Sequence, residues 1–307
     1  MSRIFRSNKK INSFNKELTI PGDKSISIRW VLLASQAVGR SKAYNLLMSE
    51  DVLAAINSIK KLGIKTIINK NYCEIIGNGI NGFKYKKNQI IDAENSGTLG
   101  RLILGLLVKS PFKIKLIGDK SLSKRDFSRV TVPLEKFGVT FGYKSKNKLP
   151  LTILGSQSIK SINYFEKRGS AQCKSSIMFA ALNASGTTFI KAKKSRDHSE
   201  LLFKYLKIPI KVRKTKKFDF IDIKKPTKIN AFNYQIPGDI SSGAFFMVLA
   251  TLADNSKLLI KNVNINPSRV GVITILKKMG AKITLENQKN YRGEKISNIF
   301  NKKFKKT

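Results

Sequence analysis

The chain has almost none of the residues from which metal centres and most nucleophile sites are built. His198 is its single histidine, and its two cysteines, Cys73 and Cys173, lie far apart and match no paired metal-ligand spacing. A zinc site made by the protein is therefore not expected. A cysteine–histidine dyad would need Cys173 to meet His198, and a serine triad would have to recruit that one imidazole. Long apolar runs are missing too. No stretch reaches the roughly 18 residues of a membrane-spanning helix, and the N-terminus lacks the apolar core of a secretory signal. The expected compartment is the cytoplasm, with no membrane partner. The first sixteen residues are basic and acid-free, which mimics an organelle transit peptide, but "KELTI" directly afterwards reads as a strand of the folded body.

Acidic residues are also scarce: 19 Asp and Glu stand against 59 Lys and Arg, a formal charge of +40. Concentrated on one face, that charge would be the footprint of a nucleic-acid binder. The lysines are instead scattered through most loops and strand ends, so diffuse surface charge that steers acidic ligands is the reading adopted, and nucleic acid is not an expected partner. Only the tail, "FNKKFKKT", forms a dense basic run, and it is expected to be a frayed, solvated end. The 41% hydrophobic content of the 307 residues is enough for real cores, and the length suits two domains.

What the chain does have is a repeat. Four segments start at Gly22, Asn95, Gly169 and Gly238, spaced by roughly 70 residues. Each runs through a helix crowded with small and apolar residues, a short strand, a polar loop, a second helix and one or two further strands. The first helices are apolar nearly all round, the pattern of helices buried inside a domain. In the second helices Leu53, Ile56, Ile59 and Leu62 recur at helical intervals and Gly63 is placed as a C-terminal stop; Leu276, Met279 and Gly280 echo them. The implied architecture is α/β, built of repeated βαβαββ units whose inner helices are sheathed by sheet.

Polar chemistry collects where the inner helices begin. "PGDKSISIR" sets Lys24, Ser25 and Arg29 at a helix N-terminus, where partial positive charge and unpaired N–H groups already exist, so added cations there call for an anion. "ENSGT" with Arg101, "KSLSKRDFSR" with Lys124 and Arg125, "GSAQCKSS" with Ser170, Gln172 and Lys174, and "SRDHSE" with Ser195 and Arg196 offer hydroxyl, amide or cationic donors in equivalent places. Converging, they would make one strongly anion-binding cleft. Taken alone each is weak: Ser27 reads as a helix cap, and so does "GSAQ".

These motifs carry a family resemblance. "PGDKSIS-R", "NSGT", "GDKSLSKR", "GSAQ-KS", "SRDH-E", "PGDISS-AFF" and "NPSRVG" occur in the order and at the spacing of the EPSP synthases, the 3-phosphoshikimate 1-carboxyvinyltransferases, from residue 17 to about 299. The resemblance implies an inside-out α/β barrel fold. Residues 21–237 would be a complete upper domain of three units that binds shikimate 3-phosphate, and residues 1–20 with 238–307 a partial lower domain of one unit, the chain crossing near Pro21 and returning near Gly238. It implies no metal or organic cofactor. By position, Lys24 would touch both substrates and serve in proton transfer. Ser25 and Arg29 would hold the shikimate carboxylate, and Ser170, the Ala171 backbone, Gln172, Ser195 and Arg196 the rest of shikimate 3-phosphate. Asn95, Gly97, Arg125 and Gln172, with Lys24, would receive phosphoenolpyruvate.

The sequence departs from the pattern in small ways and in one large way. Ile28 stands where the family usually has His, Glu94 where a small residue often precedes the Asn, and Asp126 beside Arg125 is expected to weaken its hold on an anion. The family has six units and this sequence carries four, so the resemblance implies a C-terminal truncation that removes the catalytic carboxylates, the "KESDR" segment and further phosphoenolpyruvate ligands. Asp51 and Asp239, acids at unit entries, read as helix caps. One unit alone would leave "AFFMVLATL" with apolar faces unpartnered. The expected function is enolpyruvyl transfer to the 5-hydroxyl of shikimate 3-phosphate, with the chain inactive until a C-terminal chain complements it. The alternatives are a non-catalytic shikimate 3-phosphate-binding protein, a basic nucleic-acid binder, and the related transferase acting on UDP-N-acetylglucosamine. That last family starts with a Lys–Asn pair and places a reactive Cys in an arginine-rich loop, whereas this chain has Lys24–Ser25 and no such Cys.

Overall fold

The computed structural model describes residue 11 and residues 13–303. The basic segment up to residue 10 and the last four residues of the basic tail lie outside them. Residue contacts divide the chain into two units, one formed by the residues up to Asp23 with those from Pro237 onward, the other by Lys24–Ile236. Among the described residues no helix is long and apolar enough to cross a membrane.

In chain order the elements are β1 (Asn15–Thr19), α1 (Lys24–Ser35), β2 (Val38–Tyr44), α2 (Glu50–Lys61), β3 (Lys65–Ile68), β4 (Tyr72–Asn78), β5 (Ile90–Asp92) and α3 (Gly97–Leu106). They continue with β6 (Ile114–Ile117), α4 (Lys120–Ser123), α5 (Ser128–Glu135), β7 (Thr140–Tyr143), β8 (Leu151–Leu154), β9 (Asn163–Glu166), α6 (Ala171–Ala181), β10 (Thr187–Lys193), α7 (His198–Tyr205), β11 (Ile210–Lys214) and β12 (Phe218–Lys224). The chain closes with β13 (Asn233–Gln235), α8 (Ile240–Leu252), β14 (Ser256–Asn264), α9 (Gly271–Lys278), β15 (Lys282–Tyr291) and β16 (Glu294–Lys303). "KELTI" is thus largely strand, as its alternation suggests.

Among the described residues four sheets of four strands share one topology, in which the first strand lies parallel to the second and the last two return antiparallel: β5-β6-β8-β7, β9-β10-β12-β11, β13-β2-β4-β3 and β1-β14-β16-β15. Two of them draw that first strand from far away in sequence. β1 precedes α1 in the chain but pairs with β14, Leu18 opposite Ile260. β13 precedes α8 but pairs with β2, Tyr234 opposite Ala43. The two passes of the chain run side by side, with Gly22 bridged to Gly238, Asp23 N donating to Pro237 O at 2.8 Å and Asp239 N donating to Pro21 O at 3.0 Å.

In the larger unit the inner helices α1, α3 and α6 are buried almost along their whole length. Their all-round apolar surfaces meet each other and the sheets, and α3 packs on α6. Trp30, Phe179 and Phe203 are fully buried, with Phe179 stacked on Phe203 at 5.8 Å, and each such ring removes about 1.5–3 kcal/mol worth of apolar surface from water. Gly63 ends α2 with φ of 82°, as a C-terminal stop requires. The smaller unit has its own core of Ile20, Ile240, Met247, Leu258, Ile260 and Ile299. The basic tail departs from the frayed end expected of it: Phe300–Lys303 form the end of β16, Asn301 is buried, and its Nδ2 donates to Met247 O at 2.8 Å. Charge alone suggested solvent; the partner strands β14 and β15 supply a ladder that no local signal revealed.

Candidate functional site

Within the larger unit, the N-terminal turns of α1, α3, α6 and α7 carry the donor groups. Arg29 is one turn into α1 and buried. Its Nε donates to Ser199 Oγ at 2.7 Å, its Nη2 to Ser175 Oγ at 2.9 Å and its Nη1 to the Ser25 carbonyl at 2.9 Å. Arg196, exposed in the turn before α7, reaches back so that its Nη1 donates to Ser25 Oγ at 3.2 Å. Beside it, Ser195 Oγ is buried and without a hydrogen-bond partner among the described residues. A buried hydroxyl left unpaired costs about 1–3 kcal/mol, the cost a bound ligand would remove. Ser170 caps α6, its Oγ accepting from Cys173 N at 3.2 Å, and Ala171 opens that helix with an N–H that has no intrahelical acceptor. Lys24, half exposed at the start of α1, pairs with Asp51 Oδ2 at 3.4 Å.

A second cluster surrounds the start of α3. Arg101 projects one turn along, its Nη1 donating to Gly97 O at 3.1 Å and to Gln172 Oε1 at 2.8 Å, with its guanidinium 5.1 Å above the Phe127 ring. Gln172 Nε2 in turn donates to Thr98 Oγ1 at 3.0 Å. Arg125 Nη2 donates weakly to Asn95 Oδ1 at 3.4 Å, and Asn95 Nδ2 donates to Asp119 at 2.6 Å. A Cβ at Gly97 would stand 2.8 Å from Arg101 Nη1 and 3.0 Å from Arg125 Nη1; only glycine leaves both guanidiniums in place. Burial, with Arg129 and Arg125 nearby, pushes the Arg101 pKa down to about 10. Arg101, Arg125 and Arg129 thus lie close together, with Asp126 offsetting only part of their mutual repulsion, an arrangement that a bound anion would relieve.

The structure brings together Ser25, Arg29 and Arg196 on one side, and Asn95, Gly97, Arg125 and Gln172 on the other. Arg101 belongs to the second group more closely than the sequence suggested; a lone cation on an otherwise apolar helix, one turn after Gly97, was the available signal. Other expectations are corrected. Lys174 is not an open donor: it is fully buried in α6 and paired with Glu200 at 2.6 Å. Lys124 is exposed at the end of α4. Ser27 does not cap a helix; it lies inside α1, buried, its Oγ accepting from Leu47 N at 3.2 Å. Asp51 is no cap either, since Ser49 holds that position and Asp51 sits within the first turn of α2, in reach of Lys24. Asp239 does cap, its Oδ1 accepting from Ser241 N at 2.8 Å.

Asp126 turns to Ser128 rather than to Arg125, accepting from its N at 2.7 Å and its Oγ at 2.8 Å. Partial burial opposes that charge, but these bonds and the nearby Arg168 and Arg129 hold the carboxyl below its ordinary pKa. Ile28 is core, and Glu94 takes a left-handed φ of 49° just before Asn95. Cys173 Sγ donates to Arg129 O at 2.8 Å, and burial pushes the thiol up to about 12, unsuited to a nucleophile. Among the described residues no group of three or more His, Cys, Asp or Glu is placed to hold a metal.

With this geometry in hand, the similarities to known proteins are specific. The family model for EPSP synthase (3-phosphoshikimate 1-carboxyvinyltransferase) matches residues 8–305. The chain is 41% identical over 293 residues to a 3-phosphoshikimate 1-carboxyvinyltransferase of Caldicellulosiruptor bescii, and 42% identical over 292 residues to that of Ruthia magnifica; each match covers 95% of this chain and 66% of the relative. An EPSP synthase structure from Acinetobacter baumannii superposes with a TM-score of 0.87 at 34% identity, covering 96% of this chain and 66% of the other. The chain thus spans about two thirds of the length of the relatives it matches.

Proposed function

The chain belongs to the EPSP synthase family, and we propose that its larger unit, Lys24–Ile236, is the shikimate 3-phosphate-binding domain of a cytoplasmic enzyme that transfers the enolpyruvyl group of phosphoenolpyruvate. In that reaction the C3 methylene of phosphoenolpyruvate takes a proton, its C2 is attacked by the 5-hydroxyl of shikimate 3-phosphate, and the tetrahedral adduct loses inorganic phosphate and a C3 proton. Arg29 and Ser25 receive the carboxylate of shikimate 3-phosphate. Ser170, Ala171 N–H, Gln172, Ser195 and Arg196 receive the remainder, chiefly the phosphate. Lys24, Asn95, Gly97, Arg125 and Gln172 take phosphoenolpyruvate, joined by Arg101, whose uncompensated charge suits a second anion. Lys24 is the group available for proton movement.

The observation that carries this reading is the unpaired, buried Ser195 hydroxyl beside the Arg196–Ser25 contact, because a hydroxyl and a guanidinium side by side match a phosphate ester better than any neutral ligand. These 307 residues hold four of the six units expected of the family and span about two thirds of the relatives they match, so turnover is proposed only where the remaining third is also present, whether in the same chain or in a second one. Calorimetry tests the binding half. Shikimate 3-phosphate should bind, shikimate should bind far more weakly, and Arg29→Ala should cost about 1.5–3 kcal/mol. Equal affinity for the two ligands would remove the assignment.

A further inference from the structure

Arg29 is held in a way its neighbours on α1 do not explain. A guanidinium at the end of a flexible stem samples many orientations, and each must be given up when an anion binds. Here two hydroxyls from two other helices fix the plane beforehand: Ser199 Oγ, from the first turn of α7, accepts from Nε at 2.7 Å, and Ser175 Oγ, from α6, accepts from Nη2 at 2.9 Å. The two oxygens are 2.6 Å apart and bonded to one another. All three side chains are buried. The adjoining residues lock the same two turns together, because Lys174 precedes Ser175, Glu200 follows Ser199, and this pair meets at 2.6 Å with 0% and 3% exposure. A buried ion pair contributes little net stability, yet it is intolerant of displacement and so fixes register.

The acceptors are neutral. A carboxylate in their place would cancel the charge that a ligand needs, as Asp23 and Asp239 do for Arg269 in the smaller unit, at 2.9 Å each. These two hydroxyls orient the guanidinium without themselves cancelling its charge. We infer that Ser199 and Ser175 are positioning residues that pre-set Arg29 for the carboxylate of the substrate, so that they act on the carboxylate end of the ligand and not on its phosphate. The inference rests on the reading that Arg29 receives that carboxylate.

The test compares shikimate 3-phosphate with its methyl ester, by calorimetry on the 307-residue chain. Wild type should prefer the acid. Ser199→Ala should weaken the acid by about tenfold and the ester by no more than about twofold, Ser175→Ala/Ser199→Ala should extend the loss, and Ser199→Thr, which keeps the hydroxyl, should restore most of it. The unfolding curve read from Trp30 fluorescence shows that each variant is folded; should the double variant fail there, the single variants carry the same comparison. A wild type that does not prefer the acid overturns the reading of Arg29 itself. A wild type that prefers it, with Ser199→Ala keeping the full preference or losing both ligands equally, overturns the positioning inference alone.

Discussion

Four inner helices are written in nearly the same sequence code and meet two different fates. Seven residues beyond the residue that precedes each helix stand Trp30, Ile103 and Ile177 in α1, α3 and α6, all fully buried; the matching residue of α8 is Phe246, exposed. One residue earlier, Arg29, Leu102 and Ser176 are buried while Phe245 is 80% exposed. Leu252 at 68% and Met279, beyond α9, at 74% extend the bare surface. An all-round apolar helix has no preferred face of its own. Neighbouring repeats decide whether its second side is buried, and the three-repeat unit supplies them where the one-repeat unit does not.

Buried cations divide the same way. Arg269 of the smaller unit donates to Asp23, Asp239 and Ser241, at 2.8 to 2.9 Å, and two carboxylates neutralise it. Arg101 of the larger unit leans on a carbonyl and an amide, and burial, with Arg129 and Arg125 nearby and only partly offset by Asp126, depresses its pKa. The first arrangement ties the chain passes at Pro21–Asp23 and Pro237–Asp239 together. The second leaves a buried cation without a carboxylate bonded to it, at the expense of stability, as the proposed anion site would require.

Completing the one-repeat unit is the sharpest way to alter this comparison. Removing a single donor from a charge-stabilising site typically costs a hundredfold or more in rate, and losses of groups that act together do not simply add. The 307-residue protein should release no measurable phosphate from shikimate 3-phosphate plus phosphoenolpyruvate. Adding the family's remaining third as a separate chain should produce turnover and should protect Phe245 and Leu252 from solvent in footprinting. Robust turnover by the 307 residues alone, abolished by Lys24→Ala, would instead assign the missing carboxylate role to an acid such as Asp51.

Substitutions of exposed and buried rings probe the same contrast at smaller amplitude. Phe179→Ala empties a site stacked on Phe203 and should lower stability by about 3–5 kcal/mol in denaturant unfolding followed by Trp30 fluorescence. Phe245→Ala removes a ring of equal size that already faces solvent, and its effect should stay within about 0.5 kcal/mol, read by hydrogen exchange in α8 and β14. A loss above about 2 kcal/mol at Phe245 would mean that α8 is covered in solution, by self-association for instance, which sedimentation at several concentrations would reveal.

Much of this was legible in the sequence, and the failures share a cause. The inner helices, the roughly 70-residue repeat and the donors at unit starts were local signals of composition and spacing. The exchange of β1 and β13 between sheets was not, because a three-residue strand such as Asn233–Gln235 carries no mark of its partner. Lys174 looked like one more exposed donor until Glu200, from another helix, proved to hold it in the core. Ser175 and Ser199 give no signal in the sequence, because a small hydroxyl on a helix reads as filler; its role depends on a guanidinium that arrives from far along the chain.

The smallest expected effect is also the one that separates the two buried cations most cleanly. Arg269→Met removes the cation from its buried pairs with Asp23 and Asp239 and should cost about 3–5 kcal/mol, as removal of one member of a buried pair does. Arg101→Met should cost close to nothing in the absence of ligand. Its folded pKa of about 10 lies below the ordinary arginine value, so the folded chain binds that proton less tightly than the unfolded chain does, and the charged side chain opposes folding at every pH below about 10, the opposition fading only as pH rises above it. Replacing it with an apolar side chain of similar length, set over the Phe127 ring, removes that opposition while giving up the bond to Gln172. Denaturant unfolding at pH 7 should therefore place Arg101→Met at or slightly above wild type. Phosphoenolpyruvate, which should raise the wild-type midpoint, should raise the variant's far less. A loss at Arg101 as large as that at Arg269 would show that its charge is balanced within the chain, and would remove it from the anion site.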